Sequence, residues 1–374
     1  MNGNEWQATP AVRKDVPLLI GLEGPPGTGK TVSALLLAQG MQDIYGHDRP
    51  IIVIDTEHRA TKYAGMKVGA AARPFAFEVV RFDPPFRANR YHAAVLAQIP
   101  RRPSCIIIDT MSDEHEGQGG RIDWHKEELD NIMVRLGRKK DEWGARNANS
   151  QSGWIPSSEA RKRMIAAFSR IETCPIIMTF RAQEKMEQRK ESKDGRERVV
   201  PTNIGFRPIA PAQIVYAVDI MALLPPRADG VPRWRGGKGT EEFTIKLPEQ
   251  FRGLFKEGEP ISPAIGAALA RWAKGETLPE TRKEDKISLR PQPERLPPGK
   301  TILDTARELA AESADAFNDW WYTLTDKQQD TVLGIEDELM AIAAKRDAPA
   351  GAAPEAPKPP DDDAFPGDTP SRLL

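Results

Sequence analysis

Four apolar runs, at 18–22, 51–54, 105–108 and 175–178, punctuate the first half of the chain, and each gives way to polar or glycine residues. The run "CIII" in "SCIIIDT" has no polar alternation, which is the pattern of a strand buried on both faces of a parallel sheet. "LLIGLEGPPGTGKTVSALLLAQGM" reads as strand, glycine-rich turn, then a helix carrying "ALLLA". Strands interleaved with helices predict an α/β fold: a mostly parallel sheet flanked by helices. Further on, "IVYAVDIMALLPP" and "EEFTIKL" read as strands that extend the sheet, antiparallel in sense. "ISPAIGAALARWAKG" reads as a short helix ending at Gly275.

The pattern also sets boundaries. Residues 1–14 form an N-terminal extension and 15–275 the core. Residues 276–300 are charged, proline-rich and without apolar period, and read as a linker. Residues 301–347 regain helical spacing, with a break near "TLTDKQQ", and predict two or three helices. There Thr325 is placed as an N-cap, with Gln328 completing a capping box. Residues 348–374 have a composition unable to bury a core and are expected to be disordered. The segment 117–120, with Gly117, Gly119 and Gly120, is expected to be a flexible loop. Trp124, Trp143 and Trp154 lie beyond it in a polar stretch.

Composition narrows the chemistry. The chain has 374 residues and a net charge of −1, so any nucleic-acid contact must come from a local patch rather than a global field. No stretch approaches the roughly 18 apolar residues of a membrane helix. The N-terminus has no signal-peptide core, and the expected location is the cytoplasm. The two cysteines, Cys105 and Cys174, each open an apolar run and read as buried thiols, with no zinc spacing.

Gly24-Pro25-Pro26-Gly27-Thr28-Gly29-Lys30-Thr31 is a complete G-x-x-x-x-G-K-[ST] loop between a strand and a helix. Its glycines let backbone N–H groups turn toward phosphate oxygens, and the helix N-terminus adds its dipole. Lys30 would reach the β- and γ-phosphates of ATP, and the Thr31 hydroxyl would ligate Mg²⁺. Asp109, closing "SCIIIDT", reads as the second acid on the metal; a turn or cap acid is the plainer alternative. Thr110 follows it, so a water-activating carboxylate must come from elsewhere. "IIVIDTEHRA" offers Glu57 at a strand end facing the same crevice. The alternative is that Asp55 and Glu57 cap the next helix, and Glu114 is a rival base.

At this point the sequence resembles the RecA-like recombinase core, on "GPPGTGKT", "IIVIDTEH", "CIIIDT" and "PIIMTFRAQEK". It is similar in particular to the shorter phage ATPases grouped with single-strand annealing proteins, over roughly residues 15–275. The resemblance implies a RecA-like P-loop core, ATP and Mg²⁺ as cofactors and DNA-stimulated ATP hydrolysis with Glu57 as base. It also implies single-stranded DNA as partner, self-assembly and a bacterial host cytoplasm. Thr179, Arg181 or Gln183 would report the γ-phosphate, and Arg181 would join the nucleotide site. The following segment would be a mobile DNA-contacting loop carrying Lys185, Arg189, Lys190, Arg196 and Arg198. It is nearly charge-balanced, and a solvated hairpin or helix–turn is an equal reading.

Two further regions carry candidate contacts. Arg121, Lys139, Lys140 and Trp143 belong to the basic, tryptophan-containing stretch, where rings would stack on unpaired bases. The alternatives are packing onto the sheet or a protomer interface. Asp361, Asp362, Asp363, Phe365 and Pro366 resemble the acidic tips of bacterial single-stranded-DNA-binding proteins. They would dock on host or phage replication proteins, or serve only as a solubilising tail. A P-loop phosphotransferase, an accessory replication ATPase and a nucleotide switch are the competing functions.

Overall fold

The computed structural model describes residues 8, 10–16, 18–69, 72–193, 196–234, 244–278, 301–312, 317, 320–321, 324 and 326–347. At 187, 189–193, 196–204, 326–327, 329–330, 344 and 346–347 the backbone alone is described.

The first unit, residues 1–291, is an α/β layer structure around a seven-stranded sheet. Its strands are β1 (Leu19–Gly24), β2 (Ile51–Asp55), β3 (Glu78–Arg81), β4 (Cys105–Asp109), β5 (Ile176–Lys193), β6 (Arg196–Pro208) and β7 (Ile220–Leu223). The order is β3-β2-β4-β5-β1-β7, with every neighbour on that path parallel; β6 alone is antiparallel, on β5. β5 therefore lies between β1 and β4, unlike the 3-2-1-4-5-6 order of dinucleotide-binding sheets.

The unbroken apolar runs have a plain cause. Ile51, Val53, Cys105, Ile107 and Ile177 pack into one core cluster, while Ile54, Ile106, Ile108, Ile176 and Met178 pack into another. Alternate residues point to opposite faces, and both faces are covered. On one face lie α1 (Lys30–Tyr45) and α8 (Pro263–Ala273). On the other lie α2 (Ala88–Gln98), α6 (Ile155–Phe168) and α7 (Ala212–Ala217), through Tyr91, Val95, Met164, Phe168 and Ile214. α1 is apolar nearly all round because α8 covers the side that the sheet does not. The N-terminal extension is tied to the end of α8: Arg13 donates to the carbonyls of Gly275 (3.1 Å) and Glu276 (2.6 Å).

The segment 117–120 is a turn between α3 (Asp113–Glu116) and α4 (Arg121–Arg135), and the polar stretch beyond it folds into α4, α5 (Trp143–Gly153) and α6. The segment after 183 is a two-stranded ribbon, the far half of β5 paired with β6, which is the hairpin reading. One expectation is corrected. "IVYAVDIMALLPP" is α7 followed by β7, and β7 is parallel to β1; among the described residues of "EEFTIKL", 244–247, Lys246 makes an isolated antiparallel bridge to Met221.

The second unit, residues 292–374, holds helices Ile302–Glu312, Asp326–Leu333 and Glu336–Asp347 around Ala306, Ala310, Trp320, Val332 and Leu339. Thr301 caps the first: the Asp304 N–H donates to its hydroxyl at 3.2 Å, and Asp304 accepts the Thr301 N–H at 3.0 Å. The expected Thr325 cap and the acidic tail with Asp361–Asp363, Phe365 and Pro366 lie outside the described residues. Among the described residues, no helix is long and apolar enough to cross a membrane.

Candidate functional site

Strand register gathers the site. β2 and β4 pair Asp55 with Asp109, and β1 and β5 pair Gly24 with Arg181. The carboxyl ends of four adjacent strands thus open on one side, where an α/β sheet keeps its crevice. That crevice is a cavity of about 730 Å³ lined by Pro26 to Val32, Glu57, Arg59, Tyr63, Asp109, Thr110 and Arg181.

The loop from Gly24 to Thr31 arcs over one wall. Gly27 and Gly29 have φ of 79° and 91°, a region that favours glycine. A side chain on Gly27 would meet nothing within 4 Å, so the loop leaves open space there for a ligand. The Lys30 ammonium donates to the carbonyls of Gly24 (2.8 Å) and Pro25 (2.7 Å). Burial lowers its pKa, while Asp109 and Glu57 pull it back up.

Thr31 Oγ1 donates to one Asp109 oxygen at 2.8 Å, and Thr179 Oγ1 donates to the other. Burial raises the Asp109 pKa, and the two hydroxyls offset that in part. Asp109 is therefore built into the site, not a turn acid at the surface. The Asp109–Thr110 peptide is cis. Thr110 donates its hydroxyl to the Thr179 carbonyl at 2.8 Å, which ties β4 to β5.

Asp55 and Glu57 divide the work of their segment. Asp55 is buried and accepts the N–H groups of Glu57 (3.1 Å) and Ala60 (2.8 Å). It organises the turn and caps the single 3-10 turn Ala60–Tyr63. Glu57 is left facing the cavity, its carboxylate 3.8 Å from Arg59. His58 turns outward to Asp83 at 3.0 Å. The capping alternative thus holds for Asp55 and not for Glu57.

The three candidate reporters on β5 separate cleanly. Thr179 is buried on Asp109, Arg181 lines the cavity and Gln183 is exposed beyond it, opposite Arg207 in the ribbon. Arg181 is held by the Asp113 carboxylate, with Glu116 at 3.6 Å, and its N–H donates to Ser112 Oγ at 2.9 Å. Asp113 also accepts the Thr56 hydroxyl at 2.6 Å, so one side chain steadies both Arg181 and the residue before Glu57. Glu114 does not line the cavity; it is buried in an ion pair with Arg161 at 2.6 Å. Sequence reasoning missed Arg59, Tyr63 and Asp113, which sit in a 3-10 turn and a four-residue helix too short for a period to show.

The basic, tryptophan-containing region is mostly self-packed. Arg121 lies over the Trp154 ring (4.6 Å), which stacks on His125 (3.7 Å), and Arg87 lies over Trp124 (4.8 Å). Burial lowers the Arg121 pKa, with Arg161 adding to it. Lys139, Lys140 and Trp143 are exposed at the α4–α5 turn, with Lys140 3.8 Å from Asp130. Lys185 is exposed on the ribbon. Arg189, Lys190, Arg196 and Arg198 fall on its paired strands, and their side chains lie outside the described residues.

Fold and site define an α/β protein whose mostly parallel sheet, flanked by helices, is compatible with a P-loop-like core. No protein-family model matches the chain, and no curated protein sequence matches it.

Proposed function

We propose that the protein is a RecA-like ATPase that binds single-stranded DNA and acts in recombination or strand annealing. One observation carries the reading: Lys30, Thr31, Glu57, Asp109 and Arg181 all meet at a single cavity, on four separate stretches of chain. A turn that matched the loop motif by chance would not bring a carboxylate, an acid on a hydroxyl and an arginine to the same space.

In this reading the Gly27–Gly29 amides and Lys30 take the β- and γ-phosphates of ATP. The Thr31 hydroxyl and Asp109 would hold Mg²⁺, which would neutralise phosphate charge. Among the described residues no group of three His, Cys, Asp or Glu side chains is placed to hold a metal alone. That fits Mg²⁺, which binds through one or two carboxylates plus substrate phosphates. Glu57 orients the attacking water and takes its proton. Arg181 leaves Asp113 for the γ-phosphate, while Tyr63 offers the base an aromatic face.

The DNA contact is assigned to the β5–β6 ribbon. Because β5 also bears Thr179 and Arg181, the strand that meets the γ-phosphate continues into the DNA-contacting element.

The test is ATP hydrolysis by the full chain, with and without single-stranded DNA, beside Glu57→Gln. DNA should stimulate hydrolysis, and Glu57→Gln should cut it by about a hundredfold or more while ATP still binds. Equal hydrolysis with and without DNA would remove the DNA-dependent reading and favour a phosphotransferase.

A further inference from the structure

Arg181 lines the cavity at the strand ends, yet its charge is neutralised by acids outside that cavity. One oxygen of the Asp113 carboxylate pairs with the guanidinium, and Glu116 lies 3.6 Å from it. Neither acid lines the cavity. The guanidinium is not fully satisfied in this position: its Nε–H is buried and makes no hydrogen bond among the described residues.

The backbone of Arg181 is fixed. Its N–H donates to Ser112 Oγ at 2.9 Å, and its carbonyl accepts the Ile209 N–H at 2.7 Å. Asp113 is fixed as well. Its second oxygen accepts the buried Thr56 hydroxyl at 2.6 Å, and that hydroxyl accepts the Thr110 N–H at 2.9 Å. Rotation about the side-chain bonds of Arg181 therefore breaks the ion pair and leaves the carboxylate where it stood.

An arginine placed between acids and a cavity is subject to competition. The planar guanidinium bonds carboxylate and phosphate with the same fork of donors. An anion in the cavity that takes Arg181 must displace Asp113, and its affinity is lower by what that ion pair contributes. In the ATPase reading the loop amides meet phosphates that ATP and ADP share, whereas Arg181 meets the γ-phosphate, which ADP lacks. The competition then acts on ATP and spares ADP.

We propose that Asp113 is a positioning residue that sets the balance between ATP and ADP, by holding Arg181 off the phosphates until a γ-phosphate displaces it. Glu116 is the weaker second anchor, and Thr56 keeps Asp113 in place when the arginine leaves. This role rests on the ATPase reading and adds to it a carboxylate that touches no nucleotide.

The experiment is isothermal titration of Mg-ADP and of a non-hydrolysable ATP analogue with Mg²⁺ into the full-length protein. Wild type is compared with Asp113→Asn, Glu116→Gln, Arg181→Gln and Asp113→Asn/Arg181→Gln, and thermal melts check the folding of each. Asparagine keeps the shape of Asp113 and removes its charge. Asp113→Asn should tighten the ATP analogue about tenfold and leave ADP within about twofold. Glu116→Gln should move the ratio of the two affinities in the same direction by about twofold. Arg181→Gln should weaken the analogue and spare ADP. Adding Asp113→Asn to Arg181→Gln should leave the ratio where Arg181→Gln alone put it, because Asp113 then has no arginine to hold. A purely structural Asp113 would instead lower both affinities together.

If wild type binds both nucleotides and Asp113→Asn folds without moving the ratio, the role of Asp113 is overturned while the ATPase reading survives. The same holds if Asp113→Asn moves the ratio equally without Arg181. If Asp113→Asn does not fold, Glu116→Gln decides, and an unmoved ratio there overturns the proposal. If wild type binds neither nucleotide, both readings fall.

Discussion

Glu114 and Arg161 face each other almost fully buried, with the guanidinium donating to both carboxylate oxygens at 2.9 and 2.6 Å. Two charges inside a protein cost desolvation that their attraction repays only in part. Burial accordingly pushes the Glu114 carboxyl up from 4.5 to about 7, against the pull of Arg161. The consequence for stability has a definite sign. Between those two values the native carboxyl keeps a proton that the unfolded chain has released. Stability from this group therefore falls as pH rises through that window and levels off above it. The size is on the order of 3 kcal/mol. Asp109 is raised in the same direction, so the comparison must be made against a variant. Urea unfolding at about pH 5 and about pH 8 should show a larger loss for wild type than for Glu114→Gln. Equal losses would mean that Arg161 keeps Glu114 ionised throughout. The same pair explains why Glu114 is a poor base: a carboxylate bonded to arginine away from the cavity has no water to activate.

At the scale of elements, α1 and α8 meet through their smallest residues. A methyl group on Gly40 would sit 1.7 Å from the Pro263 carbonyl oxygen, and one on Gly266 would sit 2.0 Å from the Leu37 carbonyl oxygen. Neither clash is with a side chain that can swing away, so the helices must part. Gly40→Ala should destabilise by about 1–3 kcal/mol or more, read as a shifted urea midpoint. Because α1 carries Lys30 and Thr31 at its first turn, ATP affinity should drop with it. An unchanged midpoint would show that the helices separate without cost. Which elements were legible in the sequence follows from how they are buried. β2, β4 and the start of β5 are covered on both faces, so their apolar runs are unbroken and were legible as strands. α4 buries only Leu129, Ile132 and Met133, a narrow stripe in a charged segment, and so read only as a polar stretch. In α7–β7 one apolar run serves two elements. Asp219 breaks it by accepting the Leu19 N–H at 2.8 Å, a pairing with a residue two hundred positions away that local pattern cannot reveal. The cavity's loop residues, Glu57 and Asp109 were legible because each follows a fully buried strand. Tyr63 and Asp113 were not, because nothing periodic surrounds them.

At the scale of the molecule, the chain divides after Pro291 into two compact units, each with its own core. Every residue lining the cavity at the carboxyl ends of the strands, from Pro26 to Arg181, belongs to the first. So do both covered faces of the sheet and the α8 helix that backs α1. Among the described residues, the core of the second unit consists of Ala306, Ala310, Trp320, Leu324, Val332 and Leu339. If the proposed ATPase reading holds, a protein comprising residues 1–291 should fold, melt cooperatively and bind Mg-ATP within about twofold of the full chain, since the cavity lining lies within it. Isothermal titration with a non-hydrolysable ATP analogue, beside the full chain, measures this. Retained affinity would assign catalysis to the first unit and leave the helical unit a separate task, such as partner contact. Lost affinity with an intact melt would show that residues beyond 291 complete the nucleotide site.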